Sequence, residues 1–132
     1  MTDLNDIYQH ASQWAFGDSP EMADQLLALV MAGEKTASCG SYDSYRAELS
    51  PMVGDYHIVL DGRGKPGCAI RTLSLRLIRY RDVTADMAAK EGEGDKSLNY
   101  WQQAHREFFE RNSGFSQDMW LIYEEFEVVA VF

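Results

Sequence analysis

The chain has 132 residues, 45% of them hydrophobic, and a formal net charge of −9, which suits one domain with its own core, expected to span residues 1–132, and is short for two. Such an acidic balance repels polyanions and argues against duplex DNA as a partner. The longest apolar run, within LLALVMA, falls far below the roughly 20 residues of a bilayer span, and the start lacks the charged-then-apolar order of a secretion signal, so no membrane partner and a cytoplasmic location are expected.

Leu4, Ile7, Tyr8, Ala11, Trp14 and Ala15 recur at helical spacing, which predicts a helix over residues 4–15. A second helix follows in FGDSPEMADQLLALVMAG. Asp18 and Glu21 stand in capping-box spacing, Pro20 suits the first turn, Met22, Leu26, Leu29 and Val30 share a face, and Gly33 is the stop. Its end delivers the backbone into Glu34, Lys35 and Thr36. From Pro51 the pattern moves to period two, and VGDYHIVLD and CAIRTLSLRLIRY flank the loop GRGKPG, which predicts a long hairpin whose second strand ends at Tyr80. Alternation of Leu73, Leu75 and Leu77 with Ser74 and Arg76 predicts that the leucines face the core. A short helical turn in TADMAAKEG leads through EGEGDKSL to a helix in LNYWQQAHREFFERNSG, with Leu98, Trp101, His105 and Phe108 on one stripe and Asn112 to Gly114 at its end. MWLIYEEFEVVAVF reads as a closing strand. The class is α+β, with helices packed around a largely antiparallel, barrel-like sheet.

Several chemistries can be weighed from residue types alone. Cys39 and Cys68 are two thiols without a second pair, expected to be reduced and packed. His10, His57 and His105 fall in separate elements without metal-ligand spacing, His105 being expected to pack or cap within its helix. The acidic alternation EGEGD is not a calcium loop, because Lys96 and Gln102 occupy the positions that need glycine and glutamate. A single magnesium ion on Glu91 and Asp95 is the alternative to the expected absence of any metal or cofactor. Trp14, Trp101 and Trp120 read as core, with Trp14, beside the second helix, the one placed to meet a ligand. Arg63, Lys65, Arg71, Arg76 and Arg79 lie in the strand stretch, either as a solvated sheet face or as a local basic face. Lys35 can satisfy helix-terminal carbonyls, Thr36 and Ser38 can be plain strand residues, and Glu91, Glu93 and Asp95 can form a solvated capping loop, a reading favoured for Glu93 and Asp95.

The chain resembles the ASCH domain family, which has a PUA-like β-barrel fold. Four segments carry the likeness: WAFGDSPEMADQLLALVMAGEKTAS, PMVGDYHIVLDGRGKPGCAIRT, AAKEGEGDKSLNYWQQAHREFF and EEFEVV. The family's signature is a helix ending in glycine, one variable residue, a lysine and then hydroxyl residues, here Gly33, Glu34, Lys35, Thr36 and Ser38. Members are linked to RNA binding, to cleavage of single-stranded RNA and to hydrolysis of the acyl amide of N4-acetylcytidine. In the amidohydrolase branch the active residues are the signature lysine, a threonine three positions on and a glutamate after the hairpin. The resemblance puts these at Lys35, at Ser38, where serine replaces threonine, and, through the A-x-x-E match in MAAKEG, at Glu91.

Amide hydrolysis needs a nucleophile, a proton acceptor and a group that stabilises the oxyanion. Two roles are open for Lys35: a desolvated base acting on Ser38 or Thr36, or a cation that polarises the substrate carbonyl. Glu91 would accept a proton or hydrogen-bond a cytosine amino group. Thr36, Tyr42 and Trp14 are expected to support substrate binding, Tyr42 by stacking on a base. The leading expectation is a small hydrolase for a neutral acylated pyrimidine nucleoside. The alternative is a single-stranded RNA binder or ribonuclease using the same cleft, with Arg63, Lys65 and Arg71 guiding the phosphates.

Overall fold

The computed structural model describes residue 8 and residues 10–132. Its elements run β1 (Ser12–Trp14), α1 (Pro20–Met31), β2 (Ala37–Ser41), α2 (Tyr42–Glu48), β3 (Tyr56–Leu60), β4 (Pro66–Arg79), a 3₁₀ turn (Tyr80–Asp82), α3 (Ala85–Glu91), α4 (Leu98–Asn112) and β5 (Trp120–Val131). The five strands form one sheet in the order β1-β3-β4-β5-β2, antiparallel except where β1 runs parallel to β3. Register shifts between Ala69 and Ile70 and between Thr72 and Ser74 interrupt the long β4–β5 ladder. Bulges of this kind bend a strand and raise its twist, and the sheet curls into a half-barrel. Val30, Leu27 and Phe16 pack on Ile70 and Phe126 on one side, while Trp101, Phe109 and Met87 pack on Ile78, Leu121 and Tyr123 on the other.

The hairpin β3–β4, the two longer helices, the short α3 and the closing strand lie where the sequence patterns place them. Other expectations are corrected. Of the helix expected over residues 4–15, Ser12–Trp14 is an edge strand on His57–Val59, held further by the Trp14 indole donating to His57 Nδ1 at 3.1 Å. Pairing with a sheet edge overrides the helical period there, and residues 1–7 and 9 lie outside the described residues. Ser19, not Asp18, caps α1, its hydroxyl accepting from Met22 N at 3.1 Å, while Asp18 binds Arg111 and Asn112. Leu73 and Leu77 are 48% and 49% exposed: Leu73 is the unpaired residue of a bulge, which switches the faces of β4 so that Cys68, Ile70 and Thr72 are buried on one side of the sheet and Ile78 on the other. Trp120 is also exposed, with the Arg79 guanidinium 4.4 Å over its ring. Both thiols are free, Cys68 buried and Cys39 half-buried.

Candidate active site

Two left-handed glycines bring distant stretches of chain together. At the end of α1, Gly33 has φ +78° and the Glu34 and Gly33 amides donate back to Leu29 O and Val30 O, the two bonds of a Schellman stop. At the end of α3, Gly92 has φ +72°, and a Cβ there would sit 2.1 Å from Glu34 O. The two turns therefore abut backbone to backbone, and Thr36 N donates to Lys90 O at 2.8 Å across the seam. This close approach aims Lys35 and Glu91 at each other although 56 residues separate them.

Lys35 is 2% exposed and Glu91 1%. The ammonium lies 3.4 Å from both Oε1 and the backbone O of Glu91, 2.9 Å from Glu93 Oε2 and 5.6 Å from the centre of the Phe16 ring. The Trp101 indole donates to Glu91 Oε2, and His105 Nε2 is 3.4 Å from Glu91 Oε1. His105 Nδ1 is 3.0 Å from Trp101 O. A carbonyl only accepts, so Nδ1 carries a hydrogen, and an Nε2 facing a carboxylate calls for a second.

Burial works against the charge on Lys35, but the Glu91 and Glu93 carboxylates outweigh it and raise its pKa above the usual lysine value. Burial alone would push Glu91 up; the Lys35 and His105 charges overcome it and bring its pKa to about 2. His105 is likewise opposed by burial and raised by Glu91. Of the two roles open for Lys35, a resident cation fits this environment and a neutral base does not. Burial pushes the Cys39 thiol well up, which keeps it protonated and a poor nucleophile.

Lys35, Glu91, Glu93 and His105 line a hollow of about 200 Å³ whose apolar wall is the half-buried stripe Met22, Leu26 and Leu29 of α1, with Phe16, Tyr100 and Phe108. A second hollow of about 300 Å³ shares Phe16, Gly17, Ser38, Cys39 and Phe108 with the first and extends to Trp14, Tyr45 and Glu124. Lys35, Ser38 and Glu91 thus line one hollow, and Trp14 lines its extension. Thr36 is exposed, with its hydroxyl on Lys90 O at 3.4 Å, and Tyr42 stacks on Tyr45; neither lines the cleft. Arg63 and Lys65 sit on the β3–β4 loop, where their amides donate to Asp61 Oδ1, and Arg71 lies 5.6 Å over the Tyr56 ring, so none of the three reaches either hollow.

Asp95 accepts from the amide of Ser97, the residue that caps α4, and does not join Glu91. The ligand atoms of Glu91, Glu93 and His105 lie within 4.8 Å of one another, a spacing that suits a metal, but the Lys35 ammonium is already bonded to both carboxylates. Glu93, Trp101 and His105 are the site residues that sequence patterns read as loop or core. Among the described residues no helix is long and apolar enough to cross a membrane.

The ASCH domain family profile matches residues 12–130. Among solved structures, the chain is similar to an ASCH domain from Lactobacillus crispatus JV V101, at 38% identity and TM-score 0.85, covering 95% of this chain and 85% of that one. A protein from Enterococcus faecalis V583 is 35% identical with TM-score 0.83, covering 96% and 85%. A Pyrococcus furiosus protein at 20% identity and TM-score 0.51, covering 90% and 97%, shares the fold alone. No curated protein matches the chain.

Proposed function

Because the chain belongs to the ASCH domain family, whose PUA-like fold is often linked to RNA binding, we propose that it is a small hydrolase that removes the acyl group from N4-acylated cytosine nucleosides such as N4-acetylcytidine. The observation that carries this reading is a charged, buried Lys35 on the wall that Ser38 shares, in a largely apolar hollow. A fixed cation in a dry site stabilises the oxyanion that forms when an acyl carbonyl is attacked, because it needs no reorganisation as charge develops. Ser38 supplies the attacking hydroxyl. Glu91, saturated by three donors, holds Lys35, His105 and Trp101 in place, and Glu93, the more accessible carboxylate, accepts from the cytosine amino group. A neutral nucleoside also escapes the repulsion that a net charge of −9 imposes on polyanions.

Purified protein incubated with N4-acetylcytidine in the presence of a chelator is expected to release cytidine, followed by chromatography. Lys35→Met should lower kcat by about 100-fold or more, the scale of losing one oxyanion donor. A folded sample without turnover on any acylcytidine would remove the proposal.

The continuation of the hollow past Trp14 and Tyr45 favours a second reading, in which single-stranded RNA is bound or cleaved with a neighbouring base over those rings. Under it, an oligoribonucleotide quenches tryptophan fluorescence with steep salt dependence, and free nucleosides are not turned over.

A further inference from the structure

We propose that Glu124 is the proton acceptor for the Ser38 hydroxyl, a catalytic residue on β5 directly across the ladder from Ser38. This rests on the hydrolase reading, which otherwise lacks a base. Lys35 keeps its proton, Glu91 is held by three donors, Glu93 is bonded to the ammonium and the Cys39 thiol is protonated.

Glu124 meets the need by position. Ser38 and Glu124 are direct partners in the antiparallel β2–β5 ladder, so their side chains leave the same face with Cβ atoms about 5 Å apart. Both line the second hollow, and Ser38 also lines the first. Glu124 is buried, and its Oε2 accepts the Thr72 hydroxyl at 2.6 Å, while Oε1 has no hydrogen-bond partner among the described residues. One oxygen is thus oriented by a fixed donor and the other is left for a mobile proton. Burial raises its pKa, offset only in part by the Thr72 hydrogen bond and the Lys35 charge, which brings this carboxylate nearer the strength a base needs at neutral pH. The adjacent Glu125 provides a contrast: it pairs with Lys90 at 2.8 Å on the surface and is spent there.

The step balances without an external reactant other than water. Glu124 takes the proton from Ser38 as Oγ bonds to the acyl carbon, and Lys35 neutralises the oxyanion. Collapse breaks the C–N4 bond, and the proton passes from Glu124 to N4, freeing cytidine and leaving an ester on Ser38. Water then gives a proton to Glu124 as its oxygen adds to the ester carbon. Breaking the ester releases the carboxylic acid, and the proton returns from Glu124 to Ser38.

The test compares the unaltered protein with Lys35→Met, Glu124→Gln and Glu124→Ala on N4-acetylcytidine, with folding checked by circular dichroism. Glu124→Gln keeps the shape and an acceptor for Thr72. It is expected to lower kcat by about 100-fold or more while KM changes only a few-fold. Glu124→Ala should regain rate as formate is added, since a small carboxylate can enter the space left; a merely structural loss is not repaired in this way. If Glu124→Gln does not fold, the formate response of Glu124→Ala decides alone. An active protein, inactivated by Lys35→Met, in which Glu124→Gln turns over normally or Glu124→Ala ignores formate, overturns the role of Glu124 and leaves the hydrolase reading standing. An unaltered protein that is folded and inactive overturns both.

Discussion

At Lys35, burial and charge pull in opposite directions, and the two carboxylates decide the outcome. Removing one partner of a buried ion pair strands the other, so Lys35→Met should lower unfolding free energy by about 3–5 kcal/mol, measured by urea titration. Combining it with Glu91→Gln should return part of the loss. The acid limb of stability follows from Glu91, whose pKa falls from the usual 4.5 to about 2 on folding. Between these values the unfolded chain binds more protons than the native one. The contribution is therefore complete above about pH 4.5 and lost as pH falls through 2. His105 has the opposite sign: its raised value contributes below the unfolded 6.5 and is lost as pH climbs through the folded value. Urea midpoints taken from pH 8 down to pH 2.5 should therefore rise as His105 charges and fall as Glu91 protonates. Glu91→Gln should flatten the acid limb, and an unchanged limb would contradict the pairing.

Between elements, the seam where α1 and α3 end is the most sensitive to added volume. Gly33 and Gly92 share a left-handed conformation, but a Cβ meets nothing within 4 Å at Gly33 and Glu34 O at 2.1 Å at Gly92. Gly33→Ala should cost only the conformational term, about 1 kcal/mol. Gly92→Ala should cost more and also reduce turnover, because it pushes Glu91 away from Lys35; equal effects in thermal melts would contradict the seam. On β4, Leu73→Lys and Leu77→Lys should stay within about 0.5 kcal/mol of the parent, while Ile78→Ala should lose about 2–5 kcal/mol. The hairpin, α1 and α4 could be read from periodicity because each buries one continuous face. The leucines misled because the bulge at Leu73 switches the faces of β4: Cys68, Ile70 and Thr72 are buried on one side of the sheet and Ile78 on the other, which strict alternation does not foresee. β1 and α2 were not legible as such, since a three-residue edge strand and a seven-residue helix are too short to carry a period.

Across the whole molecule, the site depends on contacts far apart in sequence. Lys35, Ser38 and Glu91 could be named from the resemblance to a family, since they sit in its motifs. Glu93, Trp101 and His105 could not, because their pairing depends on how α3 and α4 pack, and a tryptophan and histidine on an apolar stripe look like core. Glu124 was hidden among strand residues because its partner Ser38 lies across a ladder. The net charge of −9 adds an expectation about ionic strength. Turnover of an uncharged nucleoside should change less than about two-fold between roughly 50 and 200 mM salt, whereas a reaction that engages several phosphates would weaken by orders of magnitude.

Lys35 is central to the site as a permanent, buried cation on the wall of the hollow. The most direct measurement is an NMR titration of lysine labelled with ¹³C at Cε, with the Lys35 signal assigned by comparison with Lys35→Met. The expected result is a signal that stays in its charged position from pH 6 to beyond the usual lysine value of 10.5. A titration midpoint near pH 7 would mean that Lys35 is itself the base, and would contradict the account.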